Sequence, residues 1–212
     1  MTDQRNIINL GNCFKLLAAC FYEPDKEMLL EEQVCENLSK LIDTWASGAA
    51  KAASEMNLSL KTCSQDQLSI DHAALFIGPF ELIAAPYGSV YKEKNRQVMG
   101  DSTVDVLRFY QNAGLSVEIK EPPDHIAIEL EFMYYLCTKE ADSLANGHQE
   151  EAEKFRSLQR QFFQTSLEWV PEFCHSIKKG TNNPFYSGLA DCLGRFMATC
   201  TQIYVKTAEI KV

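Results

Sequence analysis

The stretch LFIGPFELIAAPYGSVY, from Leu75 to Tyr91, sets the organisation of the chain. It opens as the end of an amphipathic helix, is broken at Gly78-Pro79 and turns again at Pro86, because Gly and Pro interrupt regular structure. Its many apolar and aromatic side chains are unusual for irregular chain, which is normally polar. Such side chains are either buried beneath another element or exposed as a binding surface.

The two ends of this stretch predict different environments. Leu75 and Phe76 continue an apolar helical face, so we expect them in a core rather than against a ligand. Tyr87 and Tyr91 follow Pro86 in irregular chain, where binding and packing are equally compatible with the sequence. They would suit an apolar peptide helix that inserts its side chains into a groove.

A second informative stretch is EPPDHIAIELEFM, from Glu121 to Met133, a rigid Pro-Pro corner that leads into a helix. Two adjacent stripes run along this helix, one made of Ile126, Leu130, Met133 and Cys137 and one made of His125, Glu129, Phe132 and Leu136. A helix that is apolar over so much of its circumference is enclosed by neighbours. We therefore expect His125 and Glu129 on the buried side, where a carboxylate needs a partner.

Helical periodicity recurs along the rest of the chain, and no stretch alternates with period two for long enough to form a sheet. The predicted helical segments are 6–22, a long pattern from Leu30 to Met56, 65–76, one that begins at 101–103 and ends at 112–114, 124–145, 148–169, a short one after Pro171, and a last one from Phe185 to Ile203. The fold class predicted is all-α. We expect two lobes, 1–114 and 124–212, joined by an extended hinge at 115–123.

The charge of the chain bears on its partners. With 20 basic and 29 acidic residues the formal charge is −9, and the basic residues are scattered. This pattern argues against nucleic acid or an anionic membrane surface, which both require a cationic footprint. It is compatible with a basic peptide or protein partner, and equally with a surface that only keeps the protein in solution.

The eight cysteines form no CxxC pair and no zinc-type spacing with histidine, so we expect neither a metal site nor a bound cofactor. Several lie on apolar helical stripes, where a free cysteine behaves as a small hydrophobe. The first residues lack the layout of a signal peptide, and no apolar run approaches the ~20 residues of a membrane span. The sequence therefore predicts a cytoplasmic chain with reduced thiols.

Catalytic chemistry has one candidate location, around Asp124 and His125, with Glu129 one helical turn later. These side chains could form an acid–base pair or an incomplete metal site. In the structural alternative, Asp124 is the helix N-cap, His125 bonds to the turn and Glu129 is a buried partner. Nucleophile-elbow, phosphate-loop and HExxH motifs are absent from the sequence, so the chain is not expected to be an enzyme.

On these residues the chain resembles the TorD/DmsD family of cytoplasmic chaperones for molybdenum-containing redox enzymes. The resemblance covers most of the chain. It is most specific at LFIGP (75–79), APYGSVY (85–91), GDST (100–103) and EPPDHIAIELEFMYYL (121–136), with weaker support from NCFKLLAACFYEPD (12–25), LEWVPEF (167–173) and FYSGLADCL (185–193).

The resemblance implies binding of the twin-arginine signal peptide, or of the apo catalytic subunit, of a molybdopterin-dependent oxidoreductase. The chaperone would hold that subunit in the cytoplasm until its cofactor is loaded and then release it for export. The binding residues that the resemblance implies are Leu75, Phe76, Pro86, Tyr87, Tyr91, Gly100, Asp124 and His125. It also implies a monomer or a domain-swapped dimer that exchanges at the 115–123 linker.

Two other functions remain open on the sequence. One is a helical assembly adaptor that binds a redox-enzyme subunit without reading a signal peptide. The other is a hydrolase or nucleotide-dependent factor that uses Asp124, His125 and Glu129.

Overall fold

The computed structural model describes residues 4–78, 82–116 and 121–205. All regular structure within these ranges is helical, which confirms the all-α prediction. The helices are α1 (Gln4–Ala19), α2 (Lys26–Glu31), α3 (Val34–Ile42), α4 (Ser47–Thr62), α5 (Gln65–His72), a π-helical turn (Ala73–Ile77), α6 (Gly88–Lys92), α7 (Asp101–Asn112), α8 (Ile126–Ala145), α9 (Gln149–Ser166), α10 (Val170–Gly180) and α11 (Pro184–Tyr204).

The chain folds into two compact units built from separate segments. Unit 1 comprises Met1–Lys15, Tyr87–Trp169 and Thr201–Val212, and unit 2 comprises Leu16–Pro86 and Val170–Cys200. This grouping differs from a division into one lobe on each side of 115–123, because helices that are distant in sequence pack together. Residues 117–120 of the expected hinge, like Pro79 of the first stretch, lie outside the described residues, so the hinge and any exchange across it stay predictions.

The core of unit 1 is built by α7, α8 and α9. Phe132 of α8 packs between Tyr110 of α7 and Phe162 of α9, with ring centroids 4.5 Å and 4.8 Å away. Such tilted and edge-to-face aromatic contacts stabilise beyond simple burial. The predicted enclosure of α8 is confirmed, since Ile126, Leu130, Phe132 and Met133 are all buried.

The core of unit 2 is centred on Phe76. Its ring lies 6.1 Å from Phe21, 6.0 Å from Phe173 and 5.8 Å from Tyr186. The Tyr186 hydroxyl is buried with these rings and donates a hydrogen bond to the carbonyl of Leu68 at 3.0 Å, as a buried polar group requires.

The long helical pattern from Leu30 to Met56 is in fact three helices, α2, α3 and α4. Gln33 adopts a left-handed backbone with φ 51° and separates α2 from α3. A short connection then separates α3 from α4, and Ser39 Oγ donates to the carbonyl of Ala50 at 3.0 Å across the pair. The apolar residues of α3 and α4 keep one helical period because each helix buries one face against the other. Periodicity alone therefore could not distinguish two packed helices from one long helix.

Of the helices within the described ranges, none is both long enough and apolar enough to cross a membrane.

Candidate functional site

The Pro-Pro corner and the start of α6 are joined in unit 1. Tyr87 and His125 form an isolated antiparallel β-bridge, and the N–H of Gly88 donates to the carbonyl of Asp124 at 2.9 Å. From below the corner, the buried hydroxyl of Tyr110 donates to the carbonyl of Pro123 at 2.7 Å. The backbone at both predicted stretches is therefore fixed by hydrogen bonds that neither stretch could make alone.

Asp124 does not cap its own helix. Its Oδ2 accepts a hydrogen bond from the N–H of Ser89, in the first turn of α6, at 2.7 Å, and its side chain is only 1 % exposed. Helix N-termini have N–H groups without helical partners and favour a negative charge nearby. Tyr87, at the N-cap of α6, supplies no side-chain acceptor, so Asp124 supplies one from a distant part of the chain.

His125 takes the cap that the structural alternative assigned to Asp124. Its Nδ1 accepts from the N–H of Ala127 at 3.2 Å, which makes His125 the N-cap of α8. This is why α8 begins at Ile126 rather than at Asp124. An acceptor at Nδ1 places the proton of the neutral ring on Nε2.

Glu129 is fully buried, as its position on the helix predicted. Its Oε2 accepts from the indole N–H of Trp169 at 3.0 Å. Burial, together with the nearby carboxylate of Asp124, raises the pKa of Glu129 well above its usual range, although the Trp169 bond and Lys92 oppose the shift. Oδ1 of Asp124 and Oε1 of Glu129 are both buried without a hydrogen-bond partner among the described residues.

Trp169 is the residue of this cluster that sequence reasoning did not single out. It is 3 % exposed, and its ring stacks on Tyr91 with centroids 5.1 Å apart and planes at 20°. Gly88 lies against the same indole, where an added Cβ would be only 2.8 Å from Nε1. Apart from the aromatic type itself, the segment LEWVPEF (167–173) gave no local signal of these contacts.

Tyr87 forms the accessible edge of the cluster. Its ring meets that of His125 edge to face at 5.3 Å, and its hydroxyl donates to Oε2 of Glu121 at 3.3 Å. Partial burial, followed by Glu121 and then Asp124, raises the pKa of Tyr87 to about 12. Because Glu121 is exposed, this edge combines an aromatic face with an accessible carboxylate.

Gly100 lies at the N-cap of α7, where its N–H donates to Oγ1 of Thr103 at 3.2 Å. The preceding N–H, that of Met99, donates to Oγ of Ser89 at 3.1 Å. Tyr87, Tyr91, Gly100, Asp124 and His125 are all in unit 1.

Leu75, Phe76 and Pro86 belong to unit 2 and are buried there. Leu75 is 1 % exposed and Phe76 is 4 % exposed, which confirms the expectation of a core position for both. Beside them, Ile77 and Ile83 are 62 % and 47 % exposed. Among the described residues of this segment, these two isoleucines are the large apolar side chains that are exposed.

The candidate catalytic side chains are engaged in structural bonds. Asp124 accepts a hydrogen bond from the N–H of Ser89, His125 accepts one from the N–H of Ala127, and Glu129 accepts one from the indole N–H of Trp169. Within the described ranges, no group of three or more His, Cys, Asp or Glu side chains is placed to hold a metal ion.

A family model described as "Nitrate reductase delta subunit" matches residues 42–175, a range that contains both stretches. The chain belongs to this TorD-like family of redox-enzyme maturation chaperones.

Named relatives agree with the family. The chain is 28 % identical over 181 residues to the chaperone protein TorD of Salmonella agona, covering 82 % of this chain and 80 % of that one. It is 39 % identical over 90 residues to the selenate reductase assembly chaperone protein of Thauera selenatis. That second match spans 40 % of this chain and less than half, 46 %, of the relative.

The fold also matches a crystal structure described as that of a candidate redox enzyme maturation protein of Archaeoglobus fulgidus. The TM-score is 0.56 at 24 % sequence identity, and the match covers 89 % of this chain and 93 % of that one. At this identity the likeness establishes the fold alone.

Proposed function

We propose that the chain is a cytoplasmic chaperone for the apo catalytic subunit of a molybdopterin-dependent oxidoreductase. It would bind the twin-arginine signal peptide of that subunit, assist cofactor insertion and proofread the enzyme before export. The observation that carries this proposal is the family match over 42–175. The matched range includes all of the predicted binding residues.

The edge formed by Tyr87 and Glu121 supports a peptide ligand of mixed character. A twin-arginine leader places basic residues beside an apolar segment, and an aromatic ring next to a carboxylate can contact both kinds of side chain. Exposed Ile77 and Ile83 offer further apolar surface in unit 2. The acidic chain, with its formal charge of −9, would also attract a basic leader at long range.

Asp124 and His125 contribute to this function indirectly in the proposal. Both are nearly inaccessible, so they do not contact the peptide. They fix the backbone on which Tyr87 stands. Tyr91 acts in the same way through the Trp169 stack. Gly100, at the N-cap of α7, follows Met99, whose N–H is bonded to Ser89. The buried Leu75, Phe76 and Pro86 would shape the segment that carries the exposed isoleucines.

The test is a calorimetric titration of the full chain with synthetic twin-arginine leaders of the host's molybdoenzymes, each beside a Lys-Lys version. Saturable binding to one leader, weakened by the Lys-Lys change, would support the proposal and identify the client. Absence of binding to every leader would contradict signal-peptide recognition.

A second candidate is an assembly adaptor that binds a redox subunit without reading a leader. The description of the matched family, a nitrate reductase delta subunit, favours it. Pull-down of the catalytic subunit with and without its leader separates the two functions. Capture that survives removal of the leader is the result expected of an adaptor, whereas loss of capture is expected of a leader-binding chaperone.

A further inference from the structure

A groove of about 530 Å³ opens within unit 2, between the end of α4, α5, the π-helical turn and the α10–α11 connection. We call it the Asp71 groove. Among the described residues that line it, Asp71 is the one carboxylate, and no lysine or arginine contributes. The remaining polar lining is neutral and includes Gln67, Thr181 and Asn183.

The carboxylate of Asp71 is oriented but not neutralised. Its Oδ2 accepts hydrogen bonds from Nε2 of Gln67 at 2.9 Å and from Nδ2 of Asn183 at 2.5 Å. Both donors are uncharged amides, and the described residues give Asp71 no ion pair. Oδ1 receives no hydrogen bond from them either, so a preoriented negative charge is left for a ligand. A cation with N–H donors is the partner that such a carboxylate binds most strongly.

The helix ends around the groove agree with a cationic ligand. α4 and α10 both end there, at Thr62 and Gly180, and the C-terminal end of a helix carries partial negative charge. α11 begins there, but Pro184 has no N–H and the N–H of Phe185 is already bonded to Oδ1 of Asn183 at 2.9 Å. An anion would therefore find few donors at this end.

One cation already lies beside the groove without occupying it. The ammonium of Lys26 donates to the carbonyl of Cys63 at 2.6 Å. It takes the acceptor at the end of α4 and leaves the carboxylate of Asp71 as the main acceptor for a ligand.

An apolar edge adjoins the acidic groove. Leu75 lines the groove, and at Gly180 an added Cβ would lie 3.2 Å from Cδ2 of Leu75 and would clash with Cγ2 of Ile83. Glycine at 180 thus lets Ile83 approach the groove wall. Ile83, which is 47 % exposed, therefore places apolar surface next to the groove.

We infer that the Asp71 groove binds the guanidinium group of a leader arginine, while the apolar segment of the leader lies along Ile83. This inference rests on the proposed function and deepens it. Asp71 is a better arginine partner than Asp124, because Asp124 is enclosed and already bonded to Ser89. Guanidinium suits the groove because its planar fork of N–H donors matches a carboxylate flanked by amide and hydroxyl groups.

The experiment is a double-mutant cycle by calorimetry on the full chain. Wild type and Asp71→Asn are each titrated with a twin-arginine leader and with the same leader carrying citrulline, the neutral isostere of arginine. Glu55→Gln is the charge-matched control, because Glu55 is an exposed residue of α4 that, among the described residues, forms an ion pair only with Lys51, at 3.8 Å.

With the arginine leader, we expect Asp71→Asn to weaken binding about tenfold, as for loss of a charge-assisted hydrogen bond. With the citrulline leader, the same variant should change affinity less than about twofold. An equal loss on both leaders, or a loss no greater than that of Glu55→Gln, would overturn the inference while leaving the proposed function intact. Absence of binding to wild type would overturn both.

Two further measurements keep the test independent of folding at position 71. Ala74 is exposed and lines the groove, so Ala74→Lys should weaken and Ala74→Glu should strengthen binding of the arginine leader. Cys63 lines the same groove and is the one cysteine of the chain that is not buried. Its alkylation by N-ethylmaleimide should slow when the arginine leader is bound. Unchanged affinities together with an unprotected Cys63 would place the leader elsewhere.

Discussion

The indole N–H of Trp169 donates to the carboxylate of Glu129 across 3.0 Å in the interior of unit 1. The same indole stacks on Tyr91 and lies against Gly88. One buried side chain thereby connects Glu129, near the start of α8, to Gly88 and Tyr91 of α6, and this arrangement gives the first two predictions.

Glu129→Gln should alter how stability depends on pH. The pKa of Glu129 is raised in the folded state from an ordinary value of 4.5. Above that value the unfolded chain has lost a proton that the folded chain retains, so the stabilising contribution is complete at low pH and is lost as pH rises towards the folded pKa. Glutamine keeps an oxygen acceptor for Trp169 and cannot ionise. The free energy of unfolding of the variant, relative to wild type, should therefore increase as the pH rises above the ordinary value of 4.5.

Urea denaturation at each pH measures this difference. Glu131→Gln, on the exposed side of the same helix, is the matched control. A Glu129→Gln difference that is constant with pH would contradict a raised pKa.

Gly88→Ala should destabilise unit 1, because the new methyl group would lie 2.8 Å from Nε1 of Trp169. The indole is buried and stacked, so it cannot move away without losing contacts, and overpacking of this kind costs about 1–3 kcal/mol. Denaturation followed by tryptophan fluorescence would measure the loss. As a control, Gly194→Ala in α11 meets nothing closer than 3.8 Å and should stabilise the helix by up to about 1 kcal/mol.

Asp124→Ala should lower the free energy of unfolding by about 1–3 kcal/mol, because the N–H of Ser89 would lose its acceptor inside the protein. Asp124→Asn should cost less, since an amide oxygen can still accept that hydrogen bond. If Asp124 instead contacted arginine directly, Asp124→Asn would leave stability unchanged, weaken leader binding and flatten its salt dependence. Denaturation and titrations at two salt concentrations separate these outcomes.

Tyr87→Ala should weaken leader binding by about 1–3 kcal/mol if the ring is a central anchor. Tyr87→Phe keeps the ring and removes only the bond to Glu121 at 3.3 Å, so it should bind nearly as well as wild type. Calorimetry gives both affinities. Unchanged affinity of Tyr87→Ala, with a lower melting temperature, would make Tyr87 a packing residue.

The parts of the structure that depend on local chemistry were predictable. The helical class follows from apolar periodicity, and the burial of Glu129 follows from its place between two apolar stripes of α8. The end of α7 was predicted from Gly114, which has φ 81°, a conformation that glycine adopts readily.

The parts that depend on distant partners were not predictable. Asp124 stands next to α8 and looks like its cap, yet its acceptor oxygen serves Ser89 in another helix. The contacts of Trp169 with Glu129 and Gly88 depend on how the helices pack, so the local sequence does not predict them. Gln33, between α2 and α3, has a left-handed backbone conformation. Glycine and asparagine usually occupy this conformation, so a glutamine does not predict a helix break there.

The contact between Gly88 and Trp169 also constrains how sequences of this family can diverge. A side chain larger than glycine at position 88 would need a smaller side chain at position 169. Either substitution alone would be poorly tolerated. Two positions that are far apart in the chain should therefore covary among relatives, with glycine and tryptophan retained or lost as a pair.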